Sequence, residues 1–171
     1  MSDIFVISDT HFNHANILKF GRDKDFQSVE EMNEVMIERW NAVVKPNDKV
    51  YHLGDFAMGP RTEHYKFVTT LNGKKRLVVG NHDDVKGLAP YFQKVVMWRM
   101  FGEWGLLLTH VPVHPTTLGE GRFNGKQIKN IHGHIHANPS PAGPYQCVCV
   151  EQINYTPVNI EDLKWKIGEL K

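Results

Sequence analysis

The amino-acid sequence contains five short apolar stretches that each end in histidine, aspartate or asparagine side chains. In the third stretch, residues 77–79 run directly into Gly80-Asn81-His82-Asp83. A glycine lets the backbone turn sharply at the end of a strand, so the side chains that follow can share one rim. Five such endings rarely arise by chance, and we expect them to meet at one site. The other four endings are Ser8-Asp9-Thr10-His11, Gly54-Asp55, Thr109-His110 and His132-Gly133-His134-Ile135-His136.

Each apolar run has the length and composition of a β-strand. Residues 94–100 and 104–109 are predicted to pair as a hairpin through residues 101–103, and residues 112–125, rich in Pro, Gly and Thr, are predicted to form a loop. The predicted strands span residues 4–8, 49–53, 75–79, 94–100, 104–109, 129–131 and 145–150.

Helical spacing of apolar residues occurs between the early strands. It is longest over residues 28–44, where Ser28 is a good N-cap and Glu31 is its capping-box partner. The apolar face of this segment predicts core packing. Further helices are predicted at residues 61–71, 85–92 and 160–167, with one or two helical turns at residues 13–20.

Strands alternate with helices in the first half of the chain, and the second half is rich in strands. This order predicts an α/β fold, with either one mixed sheet or two packed sheets and helices on the outer faces. In such folds ligands bind in the crevice beyond the carboxyl ends of the strands. All five polar endings fall at such ends, which places the predicted site there.

Length and charge restrict the remaining possibilities. The 171 residues suit one domain, spanning residues 1–171, that buries a sizeable core. The formal net charge of +1 is too small to hold a long polyanion by counterion release alone, so any phosphate chemistry must be local to a site. With no leader pattern and no apolar run approaching ~18 residues, the sequence predicts a soluble, cytoplasmic protein.

The two cysteines, Cys147 and Cys149, lie two residues apart in the last predicted strand. That spacing places both on one face of the strand, in poor geometry for a mutual disulfide. We expect buried, free thiols. Zinc binding is the sharper alternative, but a single pair of cysteines is weak support for it.

The polar endings carry residue types that bind metal ions. Asp9 and His11 are two residues apart after a strand, so both can face one coordination sphere, and His134 and His136 repeat this spacing. The complete set has too many ligands for one tetrahedral zinc ion and too many nitrogens for calcium or magnesium. Mixed nitrogen and oxygen ligation suits Mn, Fe, Zn, Co or Ni, and the ligand number suits two ions that share a carboxylate. The candidate ligands are Asp9, His11, Asp55, Asn81, His110, His134 and His136.

The five endings resemble, in order, the five sequence motifs of the calcineurin-like metallophosphoesterase superfamily. The resemblance covers positions 9–136 and implies a small single-domain phosphoesterase. It implies a four-layer α/β/β/α sandwich, in which two mixed β-sheets are flanked by helices, with a dinuclear metal site at the strand ends. The motifs, all complete, are Asp9-x-His11, Gly54-Asp55, Gly80-Asn81-His82-Asp83, His110 and Gly133-His134-x-His136.

The resemblance also divides the seven candidate ligands between two divalent transition-metal ions. One carboxylate, that of Asp55, would bridge the two ions. The first ion would take Asp9, His11 and His136, and the second would take Asn81, His110 and His134.

Two further residues of the third motif are implied to be catalytic. His82 corresponds to the histidine that meets the substrate in this family, and Asp83 would orient it through a carboxylate–imidazole hydrogen bond. The resulting hypothesis is in-line attack on phosphorus by a hydroxide that bridges the two metals. His82 then acts as the general acid and protonates the departing oxygen, a role suited to imidazole.

Other polar residues are candidates for substrate binding. His14 closely follows the first motif, and Arg122 lies beside Phe123 in a glycine-flanked loop, as an arginine with a stacking neighbour. Arg22 could bind a second phosphate or a nucleotide backbone, but a lone arginine is more often a solvated charge, and that is the prediction for Arg22. His52 lies inside an apolar strand and is predicted to be a buried, hydrogen-bonded histidine.

Four functions remain open. A phosphodiesterase is favoured, because the alkoxide leaving group of a diester needs a proton, which His82 can supply. The alternative is a phosphomonoesterase acting on a small phosphorylated substrate. A non-catalytic metal-binding scaffold is the rival from a different class, and a structural zinc protein is less favoured because closed zinc sites prefer four ligands. The predicted partner is a phosphate ester, with a nucleotide or a nucleic-acid end among the possibilities, and not a membrane.

Overall fold

A computed structural model of the chain contains two mixed β-sheets. It describes residues 2–118, 122–123 and 126–165, without the side chains of residues 122, 123 and 126. The strands of this part of the chain are β1 (Ile4–Ile7), β2 (Lys49–His52), β3 (Lys74–Val78), β4 (Lys94–Val96), β5 (Trp98–Phe101), β6 (Leu106–Thr109), β7 (Arg122–Phe123), β8 (Lys126–Gln127), β9 (Lys129–His132), β10 (Tyr145–Cys147) and β11 (Val158–Asn159).

The first sheet has the order β11-β1-β2-β3-β4, and the second has the order β10-β9-β6-β5. In the first sheet β11 is antiparallel to β1, while the other pairs are parallel. In the second sheet β5 is antiparallel to β6, while β6, β9 and β10 are parallel. Strands β7 and β8 form a separate antiparallel pair. The α/β fold with two mixed sheets is therefore confirmed.

The longest helix begins where its capping residues predict. The Ser28 hydroxyl accepts a hydrogen bond from the Glu31 amide (3.1 Å), and the Glu31 carboxylate accepts one from the Gln27 amide (2.7 Å). No helix in the described residues is long and apolar enough to cross a membrane. The helices are α1 (Val29–Val43), α2 (Arg61–Thr70), α3 (Val85–Leu88), α4 (Pro115–Leu118) and α5 (Ile160–Leu163), with 3-10 helices at Ala15–Phe20, Ala89–Tyr91 and Val150–Gln152.

Alternate residues of the first sheet face two different cores, as the two-residue period of a strand requires. Phe5 and Ile7 of β1 pack with Trp40 of α1 in the core between the helices and the first sheet. Val6 packs with Leu108 of β6 in the core between the two sheets. Both faces of β1 are thus covered, which explains why this strand is a continuous apolar run.

The two sheets meet at the end that carries the polar residues. Ser8, directly after β1, donates its amide hydrogen to the Val148 carbonyl (2.9 Å), and its own carbonyl accepts from Val150 (3.2 Å). The Val148 amide in turn donates to the His132 carbonyl at the end of β9 (2.8 Å). The loops that follow β1 and β9 are therefore held side by side.

Four predicted elements differ from the structure. The predicted strand 94–100 is broken at Met97, because β4 pairs with the first sheet and β5 pairs with the second. The predicted loop 112–125 contains α4 and the start of the β7–β8 pair. The strand predicted at 145–150 ends at Cys147, and the helix predicted at 160–167 ends at Leu163, with residues 166–167 outside the described range.

Candidate metal centre

The loops after β1 and β2 run beside each other and bring their carboxylates together. The Asp9 amide donates to the Gly54 carbonyl (3.0 Å), and the His11 amide donates to the Asp55 carbonyl (3.0 Å). Asp9, His11 and Asp55 are each at least 98 % buried as a result. Burial of this kind brings titratable side chains into a small, poorly solvated space, where their mutual electrostatic interactions are strong.

Five of the seven candidate ligands have left-handed backbone conformations. This region is uncommon for residues other than glycine and costs roughly 1–3 kcal/mol where it is strained. Such conformations persist when the surrounding structure over-determines them, and they cluster at functional sites. The residues and their φ angles are Asp9 (57°), His11 (48°), Asp55 (55°), His134 (72°) and His136 (51°).

The candidate ligands fall into two groups of three that could each hold a metal ion. Within each group the potential ligand atoms lie within 4.8 Å of one another. Each group takes residues from the ends of both sheets. The groups are Asp9, His11 and His136, and Asp55, His110 and His134.

Asp55 lies between these two groups. Its Oδ2 atom is 3.6 Å from Nε2 of His11 and 3.5 Å from Nε2 of His110. Asn81 joins the second group, because its Oδ1 atom lies 2.9 Å from His110 Nε2. The structure therefore brings all seven predicted ligands together at one site.

The Asp9 carboxylate has one oxygen fully engaged by the protein and one left open. Oδ2 accepts hydrogen bonds from the Ser8 hydroxyl (2.5 Å) and the His134 amide (2.8 Å), and it contacts the Cys149 thiol (3.3 Å). Oδ1 is buried without a hydrogen-bond partner. It lies 3.9 Å from Nε2 of both His11 and His136, and burial raises the pKa of the carboxyl group.

Nε2 of His11 is the second atom of this site that is buried without a hydrogen-bond partner. Burial, followed by the positive charge of Arg22, lowers the pKa of His11 to about 2, so this imidazole stays neutral with a lone pair available. Unpaired buried polar atoms cost roughly 1–3 kcal/mol each. Two of them in one site fit a bound cation, which would accept lone pairs from both atoms.

The ring of His110 is oriented by a backbone carbonyl. Its Nδ1 lies 2.7 Å from the Leu53 carbonyl oxygen, which can only accept, so Nδ1 carries a proton. In the singly protonated ring, Nε2 then directs its lone pair toward Asn81 Oδ1 and Asp55 Oδ2. Three facing lone pairs repel one another unless a cation lies among them, which is the usual arrangement of a metal-binding histidine.

The ring of His136 is oriented by a buried ion pair that sequence reasoning missed. Its Nδ1 donates to Oε1 of Glu151 (2.9 Å), and the same oxygen accepts from Arg22 Nε (2.8 Å). The hydrogen bond to Glu151 raises the pKa of His136. Burial favours a raised pKa for Glu151, but His136 and Arg22 together hold it below its ordinary value.

Arg22 is therefore not the solvated charge that the sequence predicts, since it is 1 % exposed. Besides Glu151, its guanidinium donates to the backbone carbonyls of Asp9 (2.6 Å) and Thr10 (2.9 Å). These bonds fix the loop that carries the first two ligands. No local sequence signal identifies this role, because Arg22 and Glu151 are 129 residues apart.

Gly133 leaves the space in which the Asp9 carboxylate lies. A Cβ atom at this position would overlap the Ser8 hydroxyl and Asp9 Oδ2, and it would lie 2.7 Å from Ser8 Cβ. Only a residue without a side chain allows the loop after β9 to approach the end of β1 this closely. Close packing of the two loops therefore explains why the fifth motif has a glycine at this position.

The predicted catalytic residues differ in what their side chains contact. His82 is exposed, its ring centroid lies 5.6 Å from that of His11, and its amide donates to Asp55 Oδ1 (2.8 Å). The hydrogen bond predicted between Asp83 and the His82 imidazole is absent from the described residues. The Asp83 carboxylate instead accepts from the amides of Asp55 (3.1 Å), Phe56 (2.9 Å) and Gly80 (2.7 Å). Through these three amides Asp83 ties the second and third motifs together.

The two tentative substrate residues have different outcomes. His14 is half-buried beside the first group, with its Nδ1 3.4 Å from Nδ1 of His11. Burial, and then the nearby His82, lower its pKa. Arg122 lies in β7, but its side chain is outside the described part of the structure.

Histidines and cysteines away from the ligand positions have structural contacts. His52 is fully buried, and its Nε2 lies 2.9 Å from the Thr10 hydroxyl, as predicted. Cys147 and Cys149 are buried free thiols, which confirms the prediction. Cys149 nevertheless contacts Asp9 Oδ2, a contact that its position in the sequence does not indicate.

Comparison with known proteins identifies the family of the chain. A family model described as calcineurin-like phosphoesterase matches residues 2–168. The chain belongs to this family. As a calcineurin-like phosphoesterase it is assigned to the metal-dependent hydrolases, with divalent metal ions and a phosphate-ester substrate implied by the family. The resemblance proposed from the five motifs is thus confirmed.

Relatives of this calcineurin-like phosphoesterase give no further detail of its substrate. It is 36 % identical over 170 residues to the uncharacterized protein MJ1445 of Methanocaldococcus jannaschii, covering 94 % of this chain and 89 % of that protein. It is 26 % identical over 165 residues to the gene 66 protein of Mycobacterium phage L5, covering 80 % and 79 %. The crystal structure of AQ665, a protein of unknown function from Aquifex aeolicus, superposes with a TM-score of 0.75 at 28 % identity, covering 95 % of this chain and 98 % of that one.

Proposed function

We propose that this protein is a phosphodiesterase that binds two divalent transition-metal ions at the described site. The observation that carries the proposal is the position of Asp55, whose Oδ2 lies within 3.6 Å of a histidine nitrogen of each ligand group. The donor set of imidazole nitrogens, carboxylates and one amide oxygen suits Mn, Fe, Zn, Ni or Co. One ion would be held by Asp9, His11 and His136, the other by Asn81, His110 and His134, and Asp55 would be shared by both.

Two bound cations would supply Lewis acidity, lowering the pKa of water and offsetting negative charge on the phosphoryl oxygens. The protein contributes the positions of the ligands and a proton donor. The exposed His82 is the candidate donor, because its ring lies at the rim while its amide is fixed by Asp55. Its imidazole would protonate the departing ester oxygen.

His14 is a further candidate for contact with the substrate, because it lies beside His11. Its ring centroid lies 5.3 Å from that of His11, and the residue is only half-buried, so part of it remains accessible beside the site. The lowered pKa of His14 favours a neutral ring that can donate one hydrogen bond without adding positive charge. Arg122 remains a candidate from the sequence alone.

A diester is the favoured substrate, because its alkoxide leaving group needs the proton that His82 can donate. A phosphomonoesterase acting on a small phosphorylated substrate is the second candidate. A non-catalytic scaffold is less well supported, because all seven potential ligands converge. A nucleotide or nucleic-acid end as substrate, a single domain spanning residues 1–171 and a cytoplasmic location remain predictions from the sequence.

The deciding experiment compares hydrolysis of bis-p-nitrophenyl phosphate and p-nitrophenyl phosphate by protein stripped with EDTA and restored with Mn²⁺. We expect two ions per chain by elemental analysis and faster turnover of the diester. The variant Asp55→Asn should bind less metal and lose turnover of both esters. Preference for the monoester would support the phosphatase, and two bound ions without turnover of either ester would support the scaffold.

A further inference from the structure

An apolar cleft of about 570 Å³ adjoins the candidate metal centre. Its volume lies within the range of small-molecule binding sites, ~300–1,000 Å³. None of the described residues that line it is Asp, Glu, Lys or Arg. These residues are Val79, Gly80, Asn81, Met97, Trp98, Leu107, Thr109, His110, Val111, Val113 and Thr117.

The strand register explains how the cleft wall forms. Trp98 of β5 is paired directly with Thr109 of β6, and Met100 is paired with Leu107. Directly opposed residues of an antiparallel pair lie on the same face, so Trp98, Thr109 and Leu107 share one face of the second sheet. The adjacent residue, Leu108, faces the other way, into the core between the sheets.

The apolar side chains around the cleft are unusually open to solvent. Trp98 is 59 % exposed, Met97 is 69 % exposed and Val111 is 46 % exposed. Single exposed apolar residues are common on protein surfaces, but several of them around one concave site indicate a binding surface. A flat indole at the wall is suited to contact with a planar ring, since offset stacking adds to the gain from apolar burial.

The cleft is continuous with the site at two candidate ligands. Asn81 and His110 line the cleft, and they also face each other across 2.9 Å in the second ligand group. His110 Nε2 is in addition 3.5 Å from the Asp55 carboxylate. A phosphate group held at this centre would therefore place a substituent directly at the mouth of the cleft.

We propose that the cleft binds a planar aromatic group of the phosphate ester, with Trp98 as the principal contact and Val111 as a second contact. This inference rests on the proposed function, because it assumes that the phosphate group binds at the metal centre. The absence of charged residues among the described lining favours an uncharged ring over a second phosphate or a sugar acid. The site thus prefers esters that carry an apolar ring on one side of the phosphorus atom.

Calorimetric titration of the Mn²⁺-loaded protein with benzylphosphonate and methylphosphonate would test this assignment. The two probes share the phosphonate group and differ by one aromatic ring. We expect benzylphosphonate to bind at least tenfold more tightly to the wild-type protein. In Trp98→Ala the ratio should fall below threefold, while the Kd of methylphosphonate stays within twofold of wild type.

Two further variants distinguish an effect of the cleft from a general effect of mutation on phosphonate binding. Val111→Ser should reduce the ratio of the two Kd values by about threefold, since it removes apolar contact at a second wall. Tyr65→Ala is the matched control, because Tyr65 is an aromatic residue of α2, 50 % exposed and outside the cleft. It should leave both Kd values unchanged.

Equal binding of the two phosphonates by the wild-type protein would overturn the assignment while leaving the phosphodiesterase proposal intact. Binding of neither phosphonate would also overturn it, and hydrolysis of bis-p-nitrophenyl phosphate by the same preparation would then show whether the proposed function stands. Sedimentation of wild type and Trp98→Ala adds a third outcome. A change from dimer to monomer with an unaltered ratio of the Kd values would mark this face as an interface between copies of the chain.

Discussion

Glu151→Gln isolates the buried group that holds His136 in place. A single oxygen of Glu151 accepts from Arg22 Nε (2.8 Å), from Arg22 Nη2 (2.8 Å) and from His136 Nδ1 (2.9 Å). Glutamine keeps the shape of the side chain and can still accept a hydrogen bond, but it removes the negative charge. The variant therefore tests the charge of Glu151 and not its size.

Removing that charge should lower both stability and metal affinity. Arg22 is 1 % exposed and Glu151 is 11 % exposed, so the guanidinium would lose its counter-charge in a poorly solvated position. Breaking a buried ion pair costs about 3–5 kcal/mol of the free energy of unfolding. Because Arg22 keeps its two backbone acceptors, we expect a loss of about 3 kcal/mol, at the lower end of this range. For a chain of this length, that loss corresponds to a decrease in Tm of roughly 6–12 °C. Replacing the charged hydrogen-bond partner of a ligating histidine by a neutral one should lower metal affinity by about tenfold, the lower end of the range for loss of such a partner.

Two measurements check these values. Denaturant unfolding of the metal-free protein at neutral pH gives the change in free energy of unfolding, and competition titration with a Mn²⁺ chelator gives the change in metal affinity. Glu161→Gln is the matched control. Glu161 forms an exposed pair with Lys164 (2.7 Å), and its replacement should change stability by less than about 0.5 kcal/mol.

The pH dependence gives an independent check of the same pair. The pKa of Glu151 is lowered in the folded protein, so its contribution to stability is fully present above the ordinary value of 4.5 and is lost as the pH falls through the lowered pKa. The stability difference between wild type and Glu151→Gln should therefore shrink below about pH 4.5. A difference that is independent of pH, or a variant with wild-type stability and metal affinity, would refute the reasoning.

Three further predictions concern the site itself. His82→Ala should slow hydrolysis of diesters with alkoxide leaving groups by about 100-fold. Hydrolysis of bis-p-nitrophenyl phosphate should slow by less than about tenfold, because nitrophenolate leaves without a proton. Equal losses on the two kinds of ester would exclude the role of His82 as general acid. Gly133→Ala should cost about 1–3 kcal/mol and weaken Mn²⁺ binding, since the added methyl group overlaps Ser8 and Asp9; unfolding and metal titrations that match wild type would contradict this. Because the pKa of His136 is raised above 6.5, Mn²⁺ affinity should increase with pH through that raised value, while metal-free stability decreases over the same interval. Calorimetry and unfolding at a series of pH values measure both trends, and a Mn²⁺ affinity that does not change with pH over this interval would contradict the ligand role of His136.

The metal centre was predictable from the sequence because its residues directly follow strands. An apolar run that stops at Asp9 or at Gly80-Asn81 carries a local signal, and parallel strands place such endings at one edge. Helix α1 was predictable for the same reason, since its capping residues and apolar face lie within one segment.

The remaining features depend on contacts between distant parts of the chain. The pairing of Arg22 with Glu151 joins residues 129 positions apart, and no spacing rule relates them. The break at Met97 arises because β4 and β5 join different sheets, although the sequence there is continuous and apolar. Asp83 could be recognised as a site residue, but its actual partners, three backbone amides, become visible only when the loops are placed side by side.

Each candidate ligand group draws on both sheets, so metal binding at the proposed site would be coupled to folding. Asp9 and His11 follow β1 in the first sheet, whereas His136 follows β9 in the second, and Asp55 and His110 are divided in the same way. An ion bound only by the docked sheets, at a free concentration 100 times its Kd, would add about 2.7 kcal/mol to the free energy of unfolding. In a cell starved of transition metals, the junction between the two sheets would thus be weaker, and hydrolysis of the phosphate ester would be lost. The chain would also be more exposed to proteolysis. Cellular abundance of the protein would then follow metal nutrition.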